Sequence, residues 1–292
     1  MRLRFKGFNK TKPIARLGMY LTQENILAID ERDQNRVCLR PIARHETAEA
    51  ALVSFIEEQQ WQGRGIQLAL GRGWYQQLQL PKPKLPDEEL PQALPWCVRD
   101  LVNEPVDNLL FDYIDLPPSP QGEAKIAVYY SPRDRLAGLV QAISPLCKVI
   151  TIGVDELAMA NLLPMENHGL VLYKAPGQEL TLLFIHQQQW QFSRIIRGFQ
   201  SLDDESASAE AFNVDNLLLE LQRSIDYATG QLKLAPPEHW YLAMPEWVTP
   251  ALQQSIVRVF NMQTRSLTAG ELPPQALPAL GILQRENDEK TD

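Results

Sequence analysis

The chain has 292 residues, 45% of them apolar and 22% charged, with three cysteines and a formal net charge of −8. These proportions belong to an ordinary globular protein of one or two domains and exclude a disordered chain, a disulfide scaffold and a collagen-like repeat. Six bases and no acid fall in residues 1–16, so the rest holds 22 bases against 36 acids, a balance of −14 that argues against nucleic acid as the main partner.

In chain order, the basic leader comes first. Arg2, Arg4, Lys6, Lys10 and Lys12 fit a solvated first segment. They also fit attraction to anionic lipid headgroups, at about 1 kcal/mol per base, with Phe5 and Phe8 inserting between them. No apolar stretch follows, so a secretory signal is not expected. Apolar runs at 16–21, 25–30 and 36–41 predict three successive antiparallel strands. Residues 45–60 place Ala48, Ala51, Leu52, Phe55 and Ile56 on one helical face, with Thr47 as N-cap. Residues 65–70 predict a strand and Gly71-Arg72-Gly73 a turn.

Five prolines in 80–95 restrict that stretch to a short helix over 87–94, with a second over 96–102. Strands are expected at 109–116, 125–130 and 147–152, and a helix at 132–143. Gly153 ends the last of these strands and Asp155 caps a helix to Leu163. A second unit opens near Asn167 with strands at 169–173, 180–186 and 190–196. Residues 202–208 read as an acidic, solvated loop. The clearest helix is 213–232, where Val214, Leu217, Leu218, Leu221, Ile225, Ala228 and Leu232 recur at helical spacing. A buried strand at 240–243, a helix at 248–260, a strand at 261–267 and a terminal helix near 278–283 complete the reading. Each half thus opens with a three-strand meander followed by a helix and strand–helix units, which predicts a bilobed α/β fold with a cleft.

Catalytic signals are absent. His45, His168, His186 and His239 are isolated in sequence, and no GxSxG, HExxH, GxxxxGK[ST] or GxGxxG occurs. The acidic doublets Glu57-Glu58, Glu88-Glu89 and Asp203-Asp204 read as solvated faces. Arg194 and Arg197 could hold a phosphate, and pairing with Asp203-Asp204-Glu205 is the preferred reading. Cys38, Cys97 and Cys147 fit reduced thiols, and no metal or other cofactor is expected. No window of about 18 apolar residues predicts a membrane span.

Several phrases resemble the actin-like proteins of type IV pilus assembly, the PilM group, and most of all its MshI branch in MSHA pilus biogenesis. Cytoplasmic domains of GspL are more distantly similar. The phrases are LPWCVRDLVNEPVDNLLFDYIDLP (94–117), VDELAMANLL (154–163), FSRIIRG (192–198), LLLELQRSIDYATGQ (217–231) and LPALGIL (277–283). The resemblance implies an α/β, actin-like (RNase-H-like) bilobed fold, each lobe a mixed sheet flanked by helices. The first lobe would span 1–165, completed by a helix at 275–285, the second 166–274, and 286–292 would be a disordered tail.

The family's nucleotide site needs two acidic, glycine-rich hairpins and a Gly-Gly turn. The matching positions here are Arg16–Tyr20, Tyr173–Gln178 and Ala243–Trp247, and they lack both aspartates and the paired glycines. Pro245 and Trp247 are expected to crowd a base. The resemblance therefore implies weak or no ATP binding, no hydrolysis and no enzyme activity. The alternative is an ATPase with divergent phosphate loops. What remains is the family's mechanical role: a cytoplasmic scaffold peripheral to the inner membrane, docking the tail of a PilN-like single-pass membrane protein in a first-lobe groove. The pilus motor ATPase is a further expected partner. GspL-like relatives carry a span in the same chain, so here a separate partner is expected to supply it.

Overall fold

The computed structural model describes residues 14–117, 123–164, 168–204, 212–267 and 272–284. In chain order these form β1 Arg16–Leu21, β2 Asn25–Asp30, β3 Asp33–Pro41, α1 Ala48–Glu58, β4 Gly65–Leu70, β5 Gln76–Pro81, α2 Leu90–Val98, β6 Leu109–Asp115, β7 Lys125–Pro132, α3 Arg133–Ile143, β8 Lys148–Val154 and α4 Asp155–Ala160. There follow β9 His168–Tyr173, β10 Leu180–His186, β11 Gln189–Ile196, α5 Val214–Gly230, β12 His239–Ala243, α6 Thr249–Phe260, β13 Gln263–Ser266 and α7 Leu277–Gln284.

The expected likeness of the halves appears as two five-stranded mixed sheets of the same topology. The first has order β3-β2-β1-β4-β8 and the second β11-β10-β9-β12-β13. In each, the meander is antiparallel and the following strands add in parallel to the first strand of the meander. Capping is local and follows the expected chemistry. Thr47 accepts from the Ala50 N–H, and Asn213 from the Asn216 N–H.

Both faces of the second sheet are buried. Leu170 and Leu172 of β9 face a core built with α5 and α6, while Val171 and Tyr173 join the core of the first lobe. That alternation is the period-two pattern of a strand covered on both sides. Two helices then stack against the first sheet: α7 packs on β1 and β4, and α4 touches both α7 and β11 of the second lobe. Glycine makes the close approach possible. A Cβ on Gly18 would land on the Ala279 carbonyl oxygen, and one on Gly281 on the Ala158 carbonyl oxygen.

A third sheet, β5-β7-β6, is inserted between β4 and α3, with its own small core of Leu80, Leu90, Leu94, Val98, Ile126 and Val128. Residues 76–81 carry no strand expectation, because glutamines and Pro81 mask their alternation. β5 is an edge strand and ends at Pro81, where a missing N–H is tolerated. The two short helices expected over 87–102 are a single helix, α2, which passes through Pro95. Burial of Leu90, Leu94 and Val98 on one face offsets a proline cost of about 3 kcal/mol. β8 continues through Gly153 to Val154. The next helix is shorter than expected, and Asp155 lies within its first turn.

Candidate functional site: a groove and a closed cleft

The first and third sheets meet at their edges. Among the described residues β8 ends the first sheet and β6 ends the inserted one, so each presents a main-chain edge with no strand beside it. Between them lies a cavity of about 330 Å³. Ile152 and Val154 of β8 wall one side, Leu110 to Ile114 of β6 the other, and Leu136, Leu157, Tyr129 and Tyr130 the remainder. The lining is apolar and aromatic, with Asp112 on the rim and no cationic residue. Chemically it suits an extended chain segment: main-chain edges to pair with and apolar recesses for alternate side chains.

Directly behind this groove is a buried polar network that sequence reading does not isolate. Val154 and Leu157 line the groove, while Asp155 and Glu156 between them are fully enclosed. Asp155 Oδ1 accepts from the Tyr75 hydroxyl at 2.7 Å and from the Glu156 N–H at 2.9 Å, and its Oδ2 accepts from the Tyr20 hydroxyl at 3.2 Å. Tyr173 of the second lobe donates to the Tyr20 hydroxyl at 2.9 Å. Arg72 pairs with Glu156 and also donates to Ser193 of β11 at 3.0 Å. Within this network two polar bridges join the lobes, Tyr173–Tyr20 and Arg72–Ser193.

Burial pushes the Tyr20, Tyr75 and Tyr173 hydroxyls well above their ordinary range, so they act as donors. Burial also raises the Asp155 carboxyl, against the hydrogen bond from Tyr75 and the charge of Arg72. Glu156 is pushed up to about 7, by burial first, with Arg72 opposing and the neighbouring Asp155 adding. The sequence signal was an acidic pair inside the apolar run 152–163. Its partner Arg72 belongs to the weak GxG turn, 84 positions away.

The three segments that the resemblance aligns with a nucleotide site have the following surroundings. Gly18 is closed by the α7 backbone. At the second segment, Gly177 has φ +70°, and the Glu24 carboxylate of the β1–β2 turn sits against its Cα. Lys174 is buried and pairs with Asp203 at 2.5 Å while donating to the Ala175 carbonyl at 2.9 Å. At the third segment, Pro245 and Trp247 line, together with Lys174, Pro176 and Pro274, a cavity of about 630 Å³.

Other sequence-level pairings are revised. Arg194 pairs with Glu220 of α5 at 2.7 Å, and Asp203 takes Lys174, because strand β11 turns Arg194 toward the helix covering its sheet. Within the loop read as solvated, Leu202 is buried. His168 and His186, isolated in sequence, face each other across β9 and β10 and stack at 3.4 Å. Among the described residues no group of three or more His, Cys, Asp or Glu could hold a metal, and no helix is long and apolar enough to cross a membrane. Arg2, Arg4, Lys6, Lys10 and Lys12, and the segment 286–292, lie outside the described residues.

No family model and no curated protein matches the chain. Solved structures do. A chain of a PilM–PilN type IV pilus biogenesis complex superposes with a TM-score of 0.68 at 15% identity, over 93% of this chain and 98% of that one. The cytoplasmic domain of EpsL, an inner-membrane component of the type II secretion system of Vibrio cholerae, gives 0.56 at 17%, over 92% and 94%. A Bacteroides thetaiotaomicron protein of unknown function with an actin-like ATPase fold gives 0.54 at 8%, over 96% and 99%. At such identities the likeness speaks for architecture, and that architecture, two matching α/β lobes around a cleft, is the actin-like fold.

Proposed function

We propose that this protein is a non-enzymatic cytoplasmic scaffold of a type IV pilus assembly platform of the MSHA kind. In this reading it docks the cytoplasmic tail of a PilN-like inner-membrane protein in the groove between β6 and β8. The observation that carries the reading is that groove, with two unpaired strand edges and an apolar floor in the first lobe. The likeness to a chain from a PilM–PilN complex supports it. Recruitment of the pilus motor ATPase and contact of the basic leader with the inner membrane belong to the same proposal.

The non-enzymatic part rests on the cleft. A triphosphate needs free main-chain amides and an electropositive approach. Here the α7 backbone covers Gly18, and the Glu24 carboxylate occupies the face of Gly177. A second reading, an actin-like nucleotide binder with divergent loops, draws on the 630 Å³ cavity and its buried Lys174. In that cavity the ammonium is already matched by Asp203.

A pull-down with the cytoplasmic tails of the pilus membrane proteins encoded alongside this chain tests the scaffold reading. Enrichment of a PilN-like tail is expected; enrichment of none removes its support. Equilibrium dialysis with Mg-ATP tests the second reading, and micromolar binding would favour it.

A further inference from the structure

The groove does not stop at the lobe boundary. Ile114, Gly153, Val154 and Leu157 also line a second cavity of about 190 Å³, whose far wall belongs to the second lobe. That wall is the β10–β11 turn, which contributes Gln188, Gln189 and Trp190. The turn is unusual. Gln187 and Gln188 both hold left-handed backbone, at φ 50° and 57°, where a two-residue hairpin ordinarily uses asparagine and glycine. The Gln188 amide donates to the Leu163 carbonyl at 2.8 Å, which fixes the side chain at the cavity. Trp190 meets Tyr129 of the first cavity edge-on, with ring centroids 6.3 Å apart. Strained backbone held in place by specific contacts is a feature of binding sites.

Charge narrows the occupant. Asp112 stands exposed at the first cavity, Asp115 at the second is already paired with Lys82 at 2.8 Å, and among the described residues no cation lines either cavity. Cytoplasmic segments flanking membrane spans carry an excess of Lys and Arg.

We infer that the docking groove continues onto the second lobe, and that one extended basic peptide, the membrane protein's tail, occupies both cavities and touches both lobes. The inference rests on the proposed docking function and extends it. Apolar side chains of the tail enter the first cavity. Its main chain is read by the Gln189 amide and the Gln188 side-chain oxygen in the second, and its bases lie along Asp112.

The test uses the intact protein and synthetic peptides of the captured tail, full-length and shortened stepwise from each end, in fluorescence anisotropy. The variant is Gln188→Gly with Gln189→Ala. Glycine suits the left-handed backbone at 188 but releases the Gln188–Leu163 tether, so circular dichroism and thermal melting verify that the variant is folded before affinities are compared. The full tail is expected to lose about tenfold in affinity, the effect of one good hydrogen-bonding contact. One shortened series is expected to bind the wild type more weakly by a similar factor and to be indifferent to the variant. Replacing the tail's bases by glutamine should weaken binding and flatten its salt dependence. If the variant binds the full tail as the wild type does, while Leu110→Lys in the first cavity abolishes binding, the extension onto the second lobe is wrong and the docking function stands. If the wild type binds no tail at all, both fall.

Discussion

Glu156 is where a single residue most visibly links the two halves. Its carboxyl lies between Arg72, the adjacent Asp155 and Ser193 of the other lobe, in a setting that raises its proton affinity to a pKa of about 7. A carboxyl holding its proton more tightly in the folded state lowers stability as pH rises from the unfolded value, 4.5, towards 7. Asp155, raised in the same direction, adds to the slope. Glu156→Gln keeps an acceptor for Arg72 and removes the titration, so urea unfolding measured across pH 4.5–7.5 should show a smaller fall in stability than the wild type. An unchanged slope would mean that Glu156 does not titrate in this window. Sequence alone could not have exposed this group. Neighbouring acids on a helix usually point to solvent, and only the crossing of α4 beneath β11 encloses this pair. The His168–His186 stack was hidden for the same reason, since strand register, not spacing, brings the rings together.

Among the elements, the crossed helices α4 and α7 hold the frame. The α7 helix is held at two places where backbone meets backbone, Ala279 against Gly18 of β1 and Gly281 against Ala158 of α4. Gly18→Ala would drive a methyl into the Ala279 carbonyl and the Leu283 side chain, and a backbone obstacle cannot rotate away. A loss of about 1–3 kcal/mol, the usual cost of overpacking, is expected in chemical denaturation. Gly230→Ala at the end of α5 meets nothing within 4 Å and should be neutral or stabilising by up to about 1 kcal/mol. Equal effects at the two glycines would contradict the helix-crossing argument. The meanders and the long amphipathic α5 were legible because their apolar spacing is clean. The inserted sheet was not. Gln76–Pro81 alternates among glutamines, and α2 persists through Pro95 only because tertiary burial outweighs local propensity.

For the molecule as a whole, two properties follow from one arrangement. The lobes are tied by polar bridges across a cleft whose glycine positions are covered, while the outer edge of the first lobe is left with unpaired strands and an apolar recess. The resemblance carried in phrases such as 94–117 and 154–163 reached the fold. It did not reach the groove's walls, because β6 and β8 are 33 positions apart at their nearest ends (Asp115 and Lys148) and meet only through the insertion. The most direct test is calorimetric titration of the intact protein with the cytoplasmic tail of the proposed PilN-like membrane partner, run on the wild type and on Leu110→Lys. Leu110 is exposed on the groove wall, so the substitution leaves the core untouched while placing a charge in the apolar recess. Saturable binding by the wild type, weakened at least tenfold in the variant, is predicted. Equal binding by both proteins would contradict the proposed groove, and no binding by either would contradict the scaffold itself.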